Sequence, residues 1–181
     1  NAALYNIDPN RIIAFGESAG SILLMPLVYG PELASINDPN DQKNFSTRPN
    51  AFINYVGISD WTLFDESFSG TFFGAATLAS VSAGTEQNFS GLFHLQRTTS
   101  GFPYPVPTYS IYNVLPGFGT PPLTQAHDSY SGVVLTAELN AQHIPNIVRY
   151  DGATTTPELD EWIDSALPES SALMAGIQTD N

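Results

Sequence analysis

The chain contains no cysteine and, among five basic residues, a single lysine, Lys43. The first absence excludes disulfides, thiolate metal sites and a cysteine nucleophile, and leaves the redox compartment undetermined. The shortage of basic residues, set against eighteen acidic ones and a formal charge of -13, means that a phosphate backbone would be repelled, so nucleic acid is not an expected partner. Long hydrophobic runs are missing too. The longest apolar stretch, Ile22–Tyr29, is interrupted by Pro26 and falls far short of the roughly 20 residues that cross a bilayer, so no transmembrane segment is expected. The chain opens at Asn1 without a basic segment followed by an apolar one, and this start is read as that of a processed or partial product. Internal repeats and heptad arrays are absent as well.

What is present suffices for a core: 181 residues, 42% of them hydrophobic and 12% aromatic, are material for one domain. The acidic balance and two sequons, Asn44-Phe45-Ser46 and Asn88-Phe89-Ser90, fit a secreted or extracytoplasmic protein. About two such triplets arise by chance in a chain of this composition, so they carry little weight.

Punctuation by Gly, Pro, Asn and Asp divides the chain into alternating strand and helix signals. Arg11–Phe15 is a β-branched and aromatic run after the turn at Asp8-Pro9-Asn10, as expected of a fully buried strand. Ile22, Leu23, Leu24, Leu27 and Val28 suit a buried helix, with Pro26 as a kink or an early end. A second strand is expected over Ala51–Ile58, leading to Ser59-Asp60-Trp61, where side chains could face a cleft. Residues 62–113 lack clean periodicity and read as an inserted cap or lid. Pro122–Ala126 is expected as a third strand, followed by a helix from Val133 to Gln142 and a fourth strand over Ile144–Tyr150. Thr156-Pro157-Glu158 opens a closing helix with Leu159, Trp162, Ile163 and Leu167 on one face. Residues 168–181 read as a loose tail. Such alternation implies an α/β domain with a parallel sheet covered by helices.

Gly16-Glu17-Ser18-Ala19-Gly20 is a G-x-S-x-G sequence set between a predicted strand and a predicted helix. In that context it reads as a nucleophile elbow. Glycines at Gly16 and Gly20 permit a sharp, strained turn that projects the Ser18 hydroxyl, while the Ala19 N–H and the helix N-terminus face a developing oxyanion. The whole segment Ile7–Gly20, IDPNRIIAFGESAG, resembles the strand and elbow of carboxylesterase and lipase-type α/β-hydrolases. Pro121–His127 resembles the strand before that family's acid loop.

The resemblance implies that the chain is the C-terminal half of a single, partial hydrolase domain over residues 1–181. It further implies that the earlier strands are missing, together with the loop supplying the other oxyanion N–H, so a partner chain or N-terminal half is expected. The family order of serine, acid, histidine points to Asp128 as the acid, while a strict alignment of the family's His-Gly-x-x-Asp pattern places Ser131 there. No histidine follows His143, and the segment after the last strand reads Tyr150-Asp151-Gly152-Ala153. His143 should lie at the opposite end of the sheet from Ser18, and His94 in the cap. His127, expected at a strand's C-terminal end, is the remaining candidate base, with Asp128 or Asp60 as the acid.

Phe64, Phe68, Phe72, Phe73, Phe89 and Phe93 could line an acyl pocket or simply pack on one another. Asn37, Asp38, Asn40 and Asp41 suit a turn-rich loop better than a calcium site. No metal-ligand spacing or phosphate-binding loop is present, so no cofactor is expected. Two readings follow: a serine carboxylic-ester hydrolase acting on a small-molecule ester through an acyl-enzyme on Ser18, or a degenerate hydrolase retained as a binding, structural or assembly module.

Overall fold

Ile13-Ala14-Phe15 does enter a sheet, as its β-branched and aromatic side chains dispose it to do, but as an outer strand that is not fully buried, Phe15 being exposed. In the computed structural model, which describes residues 2–31, 46–97, 105–112, 119–150 and 156–167, strand β1 spans Ile13–Glu17 and pairs in parallel with β2, Ala51–Tyr55, from Ile13↔Ala51 to Glu17↔Tyr55. Strands β3, Thr108–Ile111, and β4, Asn146–Arg149, continue the sheet in the order β1-β2-β3-β4, all parallel. The α/β architecture is therefore as expected.

Parallel neighbours require crossovers, and the helices supply them. After a single turn of helix, α1 (Ala2–Tyr5), come α2 (Ala19–Tyr29), α3 (Glu66–Phe72), α4 (Ala83–Asn88), α5 (Gly91–Arg97), α6 (Tyr130–Ala141) and α7 (Thr156–Ala166). Short 3₁₀ turns lie at Trp61–Leu63 and Leu78–Ser80. Side chains alternate across each strand, so Phe52 faces one layer and Ala51 and Ile53 face the other. On the first face Met25, Val28 and Tyr29 of α2, Leu95 of α5 and Leu135 and Leu139 of α6 close over Phe52. On the second, Leu159, Trp162 and Ile163 of α7 and Leu167 cover Ala51, Ile53, Tyr109 and Ile111, the face expected of that helix. Each fully buried large side chain contributes about 1.5–3 kcal/mol.

Two expected elements are corrected. Pro122–Ala126 is not a strand: only Leu123 pairs, in an isolated bridge with Phe64, because Pro121 and Pro122 lack the N–H groups a ladder needs. The strand beside β2 is instead Thr108–Ile111, which falls inside the segment expected to be a cap. Part of that segment is also core, since Leu95 of α5 is buried against the sheet layer. Pro26 neither ends nor shortens α2, which runs on to Tyr29. Its C-terminal carbonyls are met by the Arg48 guanidinium, which donates to Val28 O at 3.1 Å and to Gly30 O. The tail 168–181, the Asn37–Asp41 loop, Asn44 and residues 151–155 lie outside the described residues.

One edge is bare. Leu4, Tyr5, Ile7, Ile12, Phe15 and Leu23 are all large, apolar and exposed, Phe15 to 61% and Leu23 to 59%. Phe15 lies on β1, the outer strand of the described sheet, Ile12 directly precedes it, and Leu23 lies on α2.

Candidate active site

Ser18 occupies the junction between β1 and α2, with φ 48° and ψ -114°. A non-glycine residue there costs about 1–3 kcal/mol and persists only where its surroundings enforce it. They do so through four groups. The Ser18 N–H donates to Tyr55 O at 2.8 Å, and Ser18 O accepts from Ile22 N at 3.1 Å. Ser21, fully buried, donates its hydroxyl to Gly16 O and accepts the Tyr55 N–H at 3.2 Å. Gly16 allows this closure, because a Cβ there would lie 2.5 Å from Ser21 N and 2.7 Å from Gly20 C. Gly20 differs: a Cβ on it meets nothing within 4 Å. Of the two glycines, Gly16 alone is demanded by packing among the described residues. Ser21 escaped the sequence reading, although a serine three positions past a strained serine is well placed to bond back to the turn.

Glu17 and Ala19 on either side of Ser18 are exposed, and Ser18 is partly so. Ala19 is the first residue of α2, so its N–H is among the four that the helix itself leaves unpaired, at the positive end of the helix dipole.

His127 reaches this turn from the loop between β3 and α6. Its Nε2 lies 2.9 Å from Ser18 Oγ. For Nε2 to accept the serine proton, the ring's own proton must sit on Nδ1. The loop is pinned at two places. Leu123 N donates to Leu63 O at 2.8 Å and Leu123 O accepts from Asp65 N at 2.8 Å. Asp128 closes the other end, its carboxylate accepting the Gly119 N–H at 3.2 Å and the Tyr130 N–H at 2.9 Å.

The two carboxylates expected on the imidazole are thus engaged elsewhere. Asp128 bonds backbone amides of its own loop. Asp60 caps the Trp61–Leu63 turn, accepting from Thr62 N at 2.9 Å and Thr62 Oγ1 at 2.8 Å. Among the described residues no carboxylate bonds to the His127 ring. Ser131, the alternative acid position, is buried in the first turn of α6, and its hydroxyl has no hydrogen-bond partner among the described residues. His143 is exposed in a left-handed conformation (φ 57°) after α6, away from the site end of the sheet. His94 sits on α5 with Nε2 3.2 Å from Asn88 O.

The aromatic set packs around Trp61, which is fully buried and does not face a cleft. Phe72 and Phe73 lie 4.3 and 4.9 Å from its ring, and Phe64 stacks on Phe68 at 5.2 Å. This cluster joins the serine and histidine elements, since Ile22 of α2, Leu123 and Ala126 belong to it. Burial pushes the Tyr112 and Tyr29 hydroxyls far above their usual titration range, Tyr29 at the opposite end of α2 from Ser18. Among the described residues no group of three His, Asp or Glu side chains could hold a metal ion, and no helix is long and apolar enough to cross a membrane.

No family model and no curated protein sequence matches the chain. Its fold has a solved counterpart. An acetyl ester-xyloside bifunctional hydrolase from Caldicellulosiruptor lactoaceticus superposes with a TM-score of 0.63 at 15% sequence identity, covering 97% of this chain and 60% of that one. The two share the fold, and the chain spans less than two thirds of the length of this structural relative.

Proposed function

We propose that the chain carries the nucleophile of a carboxylic-ester hydrolase of the α/β-hydrolase type, with Ser18 as nucleophile and His127 as its base. The observation that carries this reading is the 2.9 Å contact between Ser18 Oγ and His127 Nε2 at a strained strand-to-helix turn. A hydroxyl becomes an effective nucleophile when a base within this distance takes its proton. Ser18 Oγ attacks the ester carbonyl as its proton passes to Nε2, and the carbonyl oxygen gathers negative charge before the Ala19 N–H and the start of α2. Collapse expels the alcohol, which takes the proton from the imidazolium. Water, deprotonated by the same imidazole, then releases the acid and restores Ser18. Asp128 acts in this scheme as a positioning residue, holding the loop that carries His127 rather than the ring itself. A fold relative whose name includes acetyl ester hydrolysis supports a small ester as substrate.

We also propose that β1 receives a neighbouring strand from an N-terminal half of the same hydrolase domain, on the same or a separate polypeptide. Its support is the exposed apolar edge from Leu4 to Leu23, of the kind a parallel sheet normally keeps covered. Such a segment would bring the second oxyanion N–H.

The test is intact mass after reaction with a fluorophosphonate, on the wild type, Ser18→Ala and His127→Ala. Labelling of the wild type, abolished by Ser18→Ala and slowed at least 100-fold by His127→Ala, is expected for a serine activated by general base catalysis. Folded wild type that resists the probe would instead support the non-catalytic reading, which the engagement of Asp128 and Asp60 in loop caps favours.

A further inference from the structure

Beside α3 lies a groove of about 480 Å³, walled by Phe68, Thr71, Phe72 and Thr124, with Asp65 and Ser67 completing its lining. Phe72 is 49% exposed even though its ring packs on Trp61. The volume is ample for a phenyl ring and its tether, as an apolar cavity of about 150 Å³ already holds benzene.

One of its walls belongs to the loop that carries His127. Thr124 precedes His127 by three residues, so their Cα atoms are at most about 11 Å apart. The bridge between Phe64 and Leu123 holds the start of α3 against this stretch. Phe68 belongs to the same apolar cluster as Ala126, which adjoins His127, and Ile22, one helical turn beyond Ser18.

Among the described residues the lining has one sign of charge, a carboxylate and no basic side chain. Asp65 accepts the Ser67 hydroxyl and the Ser67 and Phe68 N–H groups as the N-cap of α3, and these bonds hold its pKa below the usual carboxylate value.

Resting on the ester-hydrolase reading, we infer that this groove seats an uncharged aryl or branched-alkyl arm of the ester, and that Asp65 discriminates against arms bearing a carboxylate. A like charge within about 4 Å in water reduces occupancy by about a few-fold at low ionic strength.

Two substitutions address the groove while sparing the core. Thr124→Trp fills it from an exposed position. Asp65→Asn removes the charge and keeps an N-cap acceptor. The probes are two fluorophosphonates, one with a small alkyl arm and one with a phenylpropyl arm, and two free alcohols, 3-phenylpropanol and its para-carboxylate. Binding of the alcohols is followed by tryptophan fluorescence in wild type and Asp65→Asn, and by methyl and aromatic NMR shifts in Thr124→Trp. Saturable binding of 3-phenylpropanol is expected in the wild type and at least tenfold weaker in Thr124→Trp, with labelling by the phenylpropyl probe slowed at least fivefold more than labelling by the small one. Asp65→Asn should strengthen binding of the carboxylated alcohol about threefold relative to the neutral one at low ionic strength. Absence of saturable binding, or binding indifferent to Thr124→Trp, overturns the groove even when Ser18 labels normally. Binding without any labelling retains the groove and defeats the ester-hydrolase reading instead.

Discussion

The hydroxyl of Ser21 accepts the backbone N–H of Tyr55 at 3.2 Å, and it donates in turn to the carbonyl of Gly16. One buried side chain therefore ties the first turn of α2 to the ends of β1 and β2, directly beneath Ser18. Ser21→Ala removes no packing volume of consequence but takes one hydrogen bond each from the Tyr55 N–H and the Gly16 carbonyl. The expected cost is about 1–3 kcal/mol, seen as a fall of several degrees in Tm by calorimetry. Labelling of Ser18 by a fluorophosphonate should slow in the same variant while it remains folded, because the strained conformation loses one of its restraints. Unchanged labelling would show that the turn holds without Ser21.

The two glycines flanking Ser18 should respond oppositely to alanine. At Gly16 the new methyl would meet backbone atoms at 2.5 and 2.7 Å, which side-chain rotation cannot relieve, so Gly16→Ala should destabilise by more than about 3 kcal/mol or prevent folding. At Gly20 there is open space, and the residue lies inside α2. Gly20→Ala should leave the isolated chain unchanged or stabilise it by about 0.5–1 kcal/mol through helix propensity. Denaturant titration of both variants measures the contrast. Equal destabilisation by both would contradict the asymmetry.

Asn54, buried in β2, donates to Tyr112 Oη and to Ser110 Oγ at 3.2 Å each, and Tyr112 donates to Gly57 O at 2.9 Å. Tyr112→Phe keeps the ring and subtracts only the hydroxyl. The Gly57 carbonyl then lacks this donor, and a loss of about 1–3 kcal/mol is expected. For a chain of this length that is roughly 2–4 °C of Tm per kcal/mol. A shift below 1 °C would mean that the network adds nothing to the fold.

Glu86 carries a pH signature. Partial burial, reinforced by the nearby charge of Asp60, raises its pKa above the usual carboxylate value. A carboxyl whose folded pKa is raised contributes stability below its unfolded pKa and loses that contribution as pH rises through the folded value. At pH 7 the charged Glu86 therefore opposes folding, by at most about a few tenths of a kcal/mol for so exposed a group. Glu86→Gln should raise Tm slightly at pH 7 and not at pH 3.5. A gain that persists undiminished at low pH would assign the effect to something other than ionisation.

The sequence disclosed the turn at Ser18 because chemistry and context coincide there: a β-branched run, two glycines and a helical run within twenty residues. It disclosed α7 equally well, since Leu159, Trp162 and Ile163 repeat at helical spacing and all three do face Ala51, Ile53 and Tyr109. The third strand was misplaced for a physical reason. Thr108-Tyr109-Ser110-Ile111 follows Pro103, Pro105 and Pro107, and those prolines disguised a short strand as part of an extended insertion. Pro122-Leu123-Thr124 had the apolar look of a strand but lacked the donors for one. His127 was legible as a residue near the site only through the strand order. Its approach to Ser18 depends on bonds that tie Leu123 to Leu63 and Asp65, some sixty residues away in sequence, and no local pattern announces them. Local pattern was equally silent on Asp128 and Asp60, whose carboxylates satisfy nearby amides and so cannot be distinguished from catalytic acids by position alone.

The strand order β1-β2-β3-β4 follows the order in which a ribosome would make the strands. Each pairs with the one synthesised just before it, and no described strand has to be threaded between two that are already joined. Helices α2 and α6 emerge between the strands they help to connect, so their apolar sides can be shielded while translation is still under way. Assembly in this direction extends the described sheet from β1 toward β4 and leaves the outer side of β1 as the margin at which a neighbouring strand joins it.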